Sequence, residues 1–301
     1  MSGPLRAGVV GAGVFGDHHA AHYAALDGVT LAGVFDPHPD RAAALASRHG
    51  GRPFASLDEL LAETDLVSIA SPASAHAKGV LAALAAGRHV YVEKPVATDL
   101  ADADAILGLA ARQGRVVACG FLERATFRDM GLFAIRERPI RLEASRLGPP
   151  SPRNLDVSVV VDLMIHDLDL ALAITDAEPL AVEAEGAAVA NALFDEADAE
   201  VTFDDGFTAI FRASRIAGAR ERSMRLVYPS GEIAVDFLAR TFTNTTGHPL
   251  APVFEGADPL GASLAAFIAA VRGEAPSPLA NALDGAKALD LALAVEQAVG
   301  R

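Results

Sequence analysis

The stretch VVVDLMIHDLDLAL, Val159 to Leu172, sets Asp162, His166, Asp167 and Asp169 among aliphatic residues. Asp162 and His166 are four apart and Asp169 is three further on, so a regular helix puts all three on one face. A carboxylate partly withdrawn from water is costly unless it is paired or put to use. An imidazole titrates near neutrality and is suited to accepting a proton. Asp162, one turn earlier, would then orient the ring, bind a neighbouring hydroxyl or relay the proton. Two other readings attach to the same residues. One is an i,i+4 surface pair at a domain seam, a common arrangement. The other is a zinc site, for which the sequence offers no third ligand cluster. Asp167 and Asp169 are free to cap, to pair or to face solvent, with Asp169 placed to support His166.

A second group sits in YVEKPVATD, where Glu93, Lys94 and Pro95 follow a short apolar strand. The C-terminal edge of strands is where open α/β sheets bind ligands. Pro95 fixes the local backbone and so restricts where Lys94 points, and Glu93 is placed to hold the turn or tune the ammonium. A lysine beside a nicotinamide would stabilise a developing alkoxide. A third group is VVGAGVFG, with Gly11, Gly13 and Gly16 in the G-x-G-x-x-G spacing. A strand precedes it, a helix follows, and Asp36 closes the next strand 20 residues after Gly16. That context predicts dinucleotide binding. Gly11 makes the tight turn, Gly13 lets the backbone approach a pyrophosphate, and Gly16 lets the helix pack close. Val14 and Phe15 open the helix whose N-terminus faces the phosphates. Asp36 would hold both ribose hydroxyls and repel a 2′-phosphate, which favours NAD over NADP.

The elements that must position these groups fall into two regions. Up to Gly120, strands at 6–10, 29–35, 66–70, 89–93 and 116–120 alternate with helices, the rhythm of a doubly wound parallel sheet. After it the rhythm changes. The chain from Ala144 to Pro152 reads as irregular and proline-rich, and the acidic helix follows. From about Leu180 to Phe237 successive strands are predicted. VTFDDGFTAIF has an Asp-Gly turn and MRLVYPSGEIAVDF a Ser-Gly turn, both hairpin signals. Helices near 260–271 and 282–299 close the chain. The fold expected is thus α/β followed by α+β. Residues 1–120 form a cofactor-binding domain and 121–301 a domain with a mostly antiparallel sheet for substrate binding and oligomerisation, and the last helix is free to pack back on the first domain.

The chain has 301 residues, 51% of them hydrophobic and 21% charged, enough for two ordered domains. A net charge of −14 without a Lys/Arg-rich run argues against nucleic acid and anionic membrane surfaces. The single cysteine, Cys119, allows no internal disulfide, as expected in a reducing cytoplasm. No apolar run approaches a membrane span, and the early apolar strand breaks too soon for a signal peptide. Alternating apolar residues Phe203, Phe207, Ala209 and Phe211 suggest a sheet face to be hidden in a homo-oligomer, dimer or tetramer.

With the glycine turn, SPASAHAKGVLAALAAGRHVYVEKP, GFLER and DLMIHDLD on one chain, the sequence resembles the Gfo/Idh/MocA family of NAD(P)-dependent sugar and inositol dehydrogenases along nearly its whole length. The resemblance implies a Rossmann doubly wound domain followed by a sheet domain that carries the substrate helix. It makes Lys94, Asp162 and His166 the catalytic residues, acting on a sugar secondary alcohol. His166 would accept the hydroxyl proton and Lys94 would polarise the oxygen. It places Ser71, Pro72 and His76, in the loop after the third strand, near the cofactor together with Glu93 and Lys94. Lys94, Arg124, Asp162 and His166 would bind substrate. The phrase DVSVVVDLMIHDLDLAL is closer to a bacterial subgroup, the UDP-N-acetylglucosamine 3-dehydrogenases, although Ala125 and Thr126 replace that subgroup's usual Phe-Asn after Arg124. A nucleotide diphosphate calls for basic residues, for which Arg124, Arg128, Arg146 and Arg153 are candidates. Alternatives are a free-sugar or inositol dehydrogenase and a non-enzymatic NAD-binding regulator. The retained Lys94, Asp162 and His166 favour the enzyme, since a regulator needs only the glycine turn. No metal is expected.

Overall fold

The structure, a computed structural model, describes residues 3–151, 155–175, 177–190, 192–250, 258–274 and 279–300. The chain divides into two compact units, Met1–Leu122 with Asp258–Ala286, and Glu123–Ala257 with Lys287–Arg301.

The first unit is built on β1 (Leu5–Val10), β2 (Val29–Phe35), β3 (Arg52–Pro53), β4 (Leu66–Ile69), β5 (His89–Val92) and β6 (Val117–Cys119). They are joined by α1 (Val14–Ala25), α2 (Pro39–His49), α3 (Leu57–Ala62), α4 (His76–Ala85) and α5 (Leu100–Gln113). Strands β1 to β6 are parallel in the order β6-β5-β4-β1-β2-β3. The strand order therefore reverses between β4 and β1, and the crevice above their C-terminal ends is where such sheets bind ligands. Residues along β4 and β5 are buried on both faces, as a sheet covered by helices on both sides requires. The later chain returns to this unit as α8 (Pro259–Val271) and β14 (Ala280–Asn281), the latter antiparallel to β6. Phe267 and Leu264 of α8 join the core around Tyr23 and Tyr91. Local signals set the helix ends. Asp99 accepts from the Asp102 N–H to cap α5, and Gly114 ends it at positive φ.

In the second unit α6 (Glu123–Met130) precedes β7 (Arg141–Leu147), and β8 to β13 span Pro179–Ala187, Glu196–Phe203, Thr208–Ser214, Glu221–Tyr228, Gly231–Asp236 and Thr241–Asn244. The seven strands lie in the order β13-β12-β11-β7-β10-β9-β8, antiparallel except for β7 against β10. The Asp205-Gly206 and Ser230-Gly231 hairpins form where the turn signals lie. Two expectations are corrected. The start of the supposedly irregular segment is β7, a central strand. Its alternation of Leu142 and Ala144 with Glu143 and Ser145 is half-buried and easily mistaken for loop chemistry. The second concerns Phe203, Phe207, Ala209 and Phe211. All four are buried within their own unit, where β10 packs on the acidic helix, and they leave no apolar surface for a partner. The opposite face instead carries Arg141, Glu143, Asp198 and Arg212, linked in pairs along and between strands.

The acidic helix itself is not regular. Val160–Met164 is a π turn, and α7 (Ile165–Ile174) continues from it. Ser158 Oγ accepts the N–H groups of Val160 and Val161 at its start. A clamp fixes the approach. Asp195 takes N–H groups from Val189 and Ala190 at 2.8 and 2.6 Å and pairs with Arg215 Nε at 2.7 Å. Arg215 in turn donates to the Val157 carbonyl at 2.8 Å, and Phe194 O receives the Val159 N–H. The Ala190 N–H, against the opposing effect of burial and with help from Arg215, holds the Asp195 carboxyl at about 2. Such a depressed group contributes stability in full above its unfolded value, about 3.9, and loses it as pH falls toward the folded value. Asp195→Asn is therefore expected to destabilise the protein by about 3 kcal/mol at neutral pH, because buried Arg215 loses its counter-charge. The gap between variant and parent should close between about pH 4 and pH 2, measured by urea unfolding across that range. A gap independent of pH would refute the clamp.

Candidate active site

In the first unit the glycine turn joins β1 to α1. Gly11 has φ +102°, and a Cβ there would stand 2.7 Å from the Ala70 carbonyl oxygen. A Cβ on Gly16 would strike the Gly11 carbonyl oxygen, so α1 can lie this close to β1 only with glycine. At Gly13 the opposite holds, with nothing within 4 Å of where a Cβ would be. Gly13 is also the N-cap of α1 and no side chain caps that end, whose Val14 and Phe15 are exposed. A helix start left open in this way suits a phosphate. Asp36, just beyond β2, is 9% exposed. Its Oδ2 accepts the Ala12 N–H and its Oδ1 the His38 N–H, each at 2.8 Å. Burial opposes ionisation there, but these bonds win and the Asp36 carboxyl is lowered. An ionised acceptor fixed beside the glycine turn fits the hydroxyls of an adenosine ribose.

Ser71, Pro72 and His76 follow β4, and Glu93, Lys94 and Pro95 follow β5, beside one another because β4 and β5 pair. His76 is buried, with Nδ1 2.7 Å from the Pro95 carbonyl oxygen and Nε2 2.8 Å from that of Ser71. Burial lowers its pKa despite both carbonyls. His76 thus stands between the two loops, and its neutral ring donates to one of the two carbonyls at a time. Glu93 is also buried, with Oε1 2.8 Å from His19 Nε2, and Ser68 Oγ stands 2.9 Å from His19 Nδ1. Tyr23 completes the chain at 2.7 Å from Ser68 Oγ, and burial raises its pKa. The Lys94–Pro95 peptide is cis, and Lys94 is half-buried.

In the second unit Asp162 is buried and lines a cavity of about 300 Å³ together with Leu163, Arg146, Arg215, Arg220 and Arg222. His166 Nδ1 lies 2.8 Å from Glu123 Oε2. Glu123 Oε1 receives Arg146 Nη1 at 3.1 Å and also Arg222 Nη2. Arg146 grips Asp167 through Nε and Nη2 at 3.1 and 2.9 Å. Arg124 grips Asp169 in the same two-pronged way at 2.8 and 2.7 Å. Burial favours a neutral Glu123, but His166 and Arg146 outweigh it and hold the carboxyl well below the usual range. Burial likewise disfavours the Arg146 charge, and Asp167 and Glu123 more than restore it.

The family description "Oxidoreductase family, NAD-binding Rossmann fold" matches residues 5–121, and "GFO/IDH/MocA C-terminal domain" matches residues 141–234. The chain belongs to the GFO/IDH/MocA oxidoreductase family. The UDP-N-acetylglucosamine 3-dehydrogenase of Acidithiobacillus ferrooxidans is 43% identical over 242 residues, 79% of this chain and 75% of that one. The solved structure of that organism's UDP-N-acetylglucosamine 3-dehydrogenase GnnA superposes with a TM-score of 0.91 at 38% identity, covering 98% of each chain. An inositol 2-dehydrogenase of Cereibacter sphaeroides is 31% identical over 58% of this chain and 55% of its own length.

The first domain of this GFO/IDH/MocA oxidoreductase is therefore an NAD-binding Rossmann domain, and the glycine turn and Asp36 fit that cofactor. Within the first unit the predicted cofactor residues Gly11, Gly13, Val14, Phe15, Gly16 and Asp36 cluster at the end of β1 and β2. Ser71, Pro72, His76, Glu93 and Lys94 lie at the ends of β4 and β5. Within the second unit Asp162 and His166 lie on one helical segment, Asp162 in the π turn and His166 in the first turn of α7. Asp169 pairs with Arg124. Arg128 pairs with its neighbour Asp129, and Arg153 lies outside the described residues. Sequence reasoning assigned no role to Glu123, Arg222 or His19, and left Asp167 to cap, to pair or to face solvent. Glu123 stood in plain view in GFLER, but its partners are 23 to 99 residues away. No group of three or more metal-ligating side chains is found among the described residues.

Proposed function

We propose that this oxidoreductase oxidises a secondary alcohol of a nucleotide sugar, the C3 hydroxyl of UDP-N-acetylglucosamine. The support that carries this reading is the 43% identity with a UDP-N-acetylglucosamine 3-dehydrogenase over most of both chains. The cavity beside Asp162, with four arginines in its lining, fits a substrate that brings anionic groups as well as hydroxyls. An inositol or free sugar is the second reading, favoured by the shorter inositol 2-dehydrogenase match.

NAD, held by the glycine turn and Asp36, supplies the hydride acceptor when bound. His166 takes the hydroxyl proton, for which an imidazole is suited near neutral pH. Lys94 stabilises the negative charge that grows on the same oxygen. Asp162 binds a neighbouring hydroxyl or relays the proton outward. His76 and Pro95 fix the loop from which Lys94 extends, and Arg124, held by Asp169, borders the substrate helix. We place the protein in the cytoplasm, in keeping with its one buried free thiol, Cys119.

His166→Ala and Lys94→Ala are each expected to lower turnover with a panel of nucleotide sugars by about 10²–10⁴-fold. NAD affinity should stay near that of the parent. The double variant should lose less than the product of the two, since both act on one oxygen. Near-normal turnover of His166→Ala, followed by NADH absorbance, would sink the assignment.

For the cofactor, NAD should bind far more tightly than NADP. Asp36→Ala should narrow the gap by removing the charge that repels a 2′-phosphate. Equal affinities of the parent for both, by calorimetric titration, would contradict this.

We also infer a homo-oligomer, dimer or tetramer, with the interface moved to the polar face of the second sheet, where Ile210 and Val227 stand among charged rows. Light scattering at micromolar concentration should give a multiple of the chain mass. A single-chain mass would refute it.

A further inference from the structure

Proton acceptance by His166 depends on which ring nitrogen carries the hydrogen. Nδ1 faces Glu123 Oε2 at 2.8 Å. An ionised carboxylate only accepts hydrogen bonds, so Nδ1 must donate, and in the neutral ring the lone pair is then on Nε2. We propose that Glu123 is a positioning residue for the reaction: it holds His166 in the Nδ1–H tautomer with Nε2 ready to take the substrate's hydroxyl proton. The inference rests on the reading of His166 as proton acceptor.

The surroundings make Glu123 suited to this work. It is 6% exposed, and a buried carboxylate survives in ionised form only with partners. Arg146 and Arg222, from the adjacent strands β7 and β11, both reach its Oε1 and leave Oε2 to His166. Arg146 is itself fixed by Asp167, the residue after His166, so the ring and its orienting carboxylate are tied to one another twice. On the same helical segment, Asp162 precedes His166 by four residues, and Asp169, three after it, pairs with Arg124. As Nε2 gains the hydroxyl proton the imidazole becomes a cation. The Glu123 charge across Nδ1 stabilises that cation and no other proton moves. Arg146 and Arg222 share the Glu123 charge from the Oε1 side.

Three measurements on the full chain test this. In the parent, ¹⁵N NMR of the imidazoles, with His166 assigned by its loss in His166→Ala, should show His166 as the Nδ1–H tautomer at neutral pH. Glu123→Gln keeps the shape and removes the charge. Its turnover should fall about 10²-fold with NAD affinity unchanged. The acid limb of its kcat/KM profile should move to lower pH by about one unit, because the imidazolium has lost its counter-charge while two arginines stay. Glu123→Asp should keep the limb near the parent's position. An Nε2–H tautomer in the parent overturns the proposal, and this result needs no variant to fold. A Glu123→Gln enzyme with parental turnover and limb also overturns it. If His166→Ala keeps its turnover, it is the proton-acceptor reading that fails; if His166→Ala is inactive while Glu123→Gln is normal, only the role of Glu123 fails.

Discussion

The second unit is organised by the need to pair charges that have left water. Glu123, Asp167 and Asp169 are all buried, and each would be expensive alone. Arg146 and Arg124 satisfy them with two-pronged contacts that tolerate little displacement. Because Glu123 belongs to α6, Arg146 to β7, Arg222 to β11 and His166 to α7, one carboxylate sets the mutual register of a helix, two strands and the acidic helix. The segment that bears Asp162 opens with a π turn at Val160–Met164, a feature that recurs at functional sites. Asp162 is turned toward a cavity while His166 keeps its place beside Glu123.

The first unit works under a different constraint, close backbone approach. Gly16 against Gly11 and Gly11 against Ala70 bring α1, β1 and the end of β4 together so tightly that side chains are excluded. Below that turn the polar chain Glu93–His19–Ser68–Tyr23 is buried and fully joined, and it links α1 and β4 to the segment bearing Lys94. The glycine turn and the lysine are thus held to one framework although 78 positions separate Gly16 from Lys94.

What was legible in the sequence follows from how local the cause was. Gly11, Gly13, Gly16, Asp36 and the hairpin at Asp205-Gly206 act within a few residues of themselves, and all were readable. The helix ending in Gly114 was readable for the same reason. Strand β7 was misread, because a strand with one polar face and prolines beyond it has the same composition as a loop. Phe203, Phe207 and Phe211 were read correctly as one apolar face, but whether a helix of the same chain covers it is a tertiary fact. Arg124 and Arg146 were sought as phosphate ligands, and the structure gives their forks to Asp169 and Asp167. Glu123 could not be paired with His166 from spacing, since nothing local ties positions 43 apart.

The central claim is hydride removal from a sugar carbon whose hydroxyl proton goes to the protein. The most direct test uses UDP-N-acetylglucosamine carrying deuterium at C3, incubated with the protein and NAD, with the products read by mass spectrometry. The account predicts a 3-keto sugar nucleotide and a deuterium-labelled reduced nicotinamide in equal amounts. Absence of reduced nicotinamide, or its formation without label while deuterium is released to water, would contradict it.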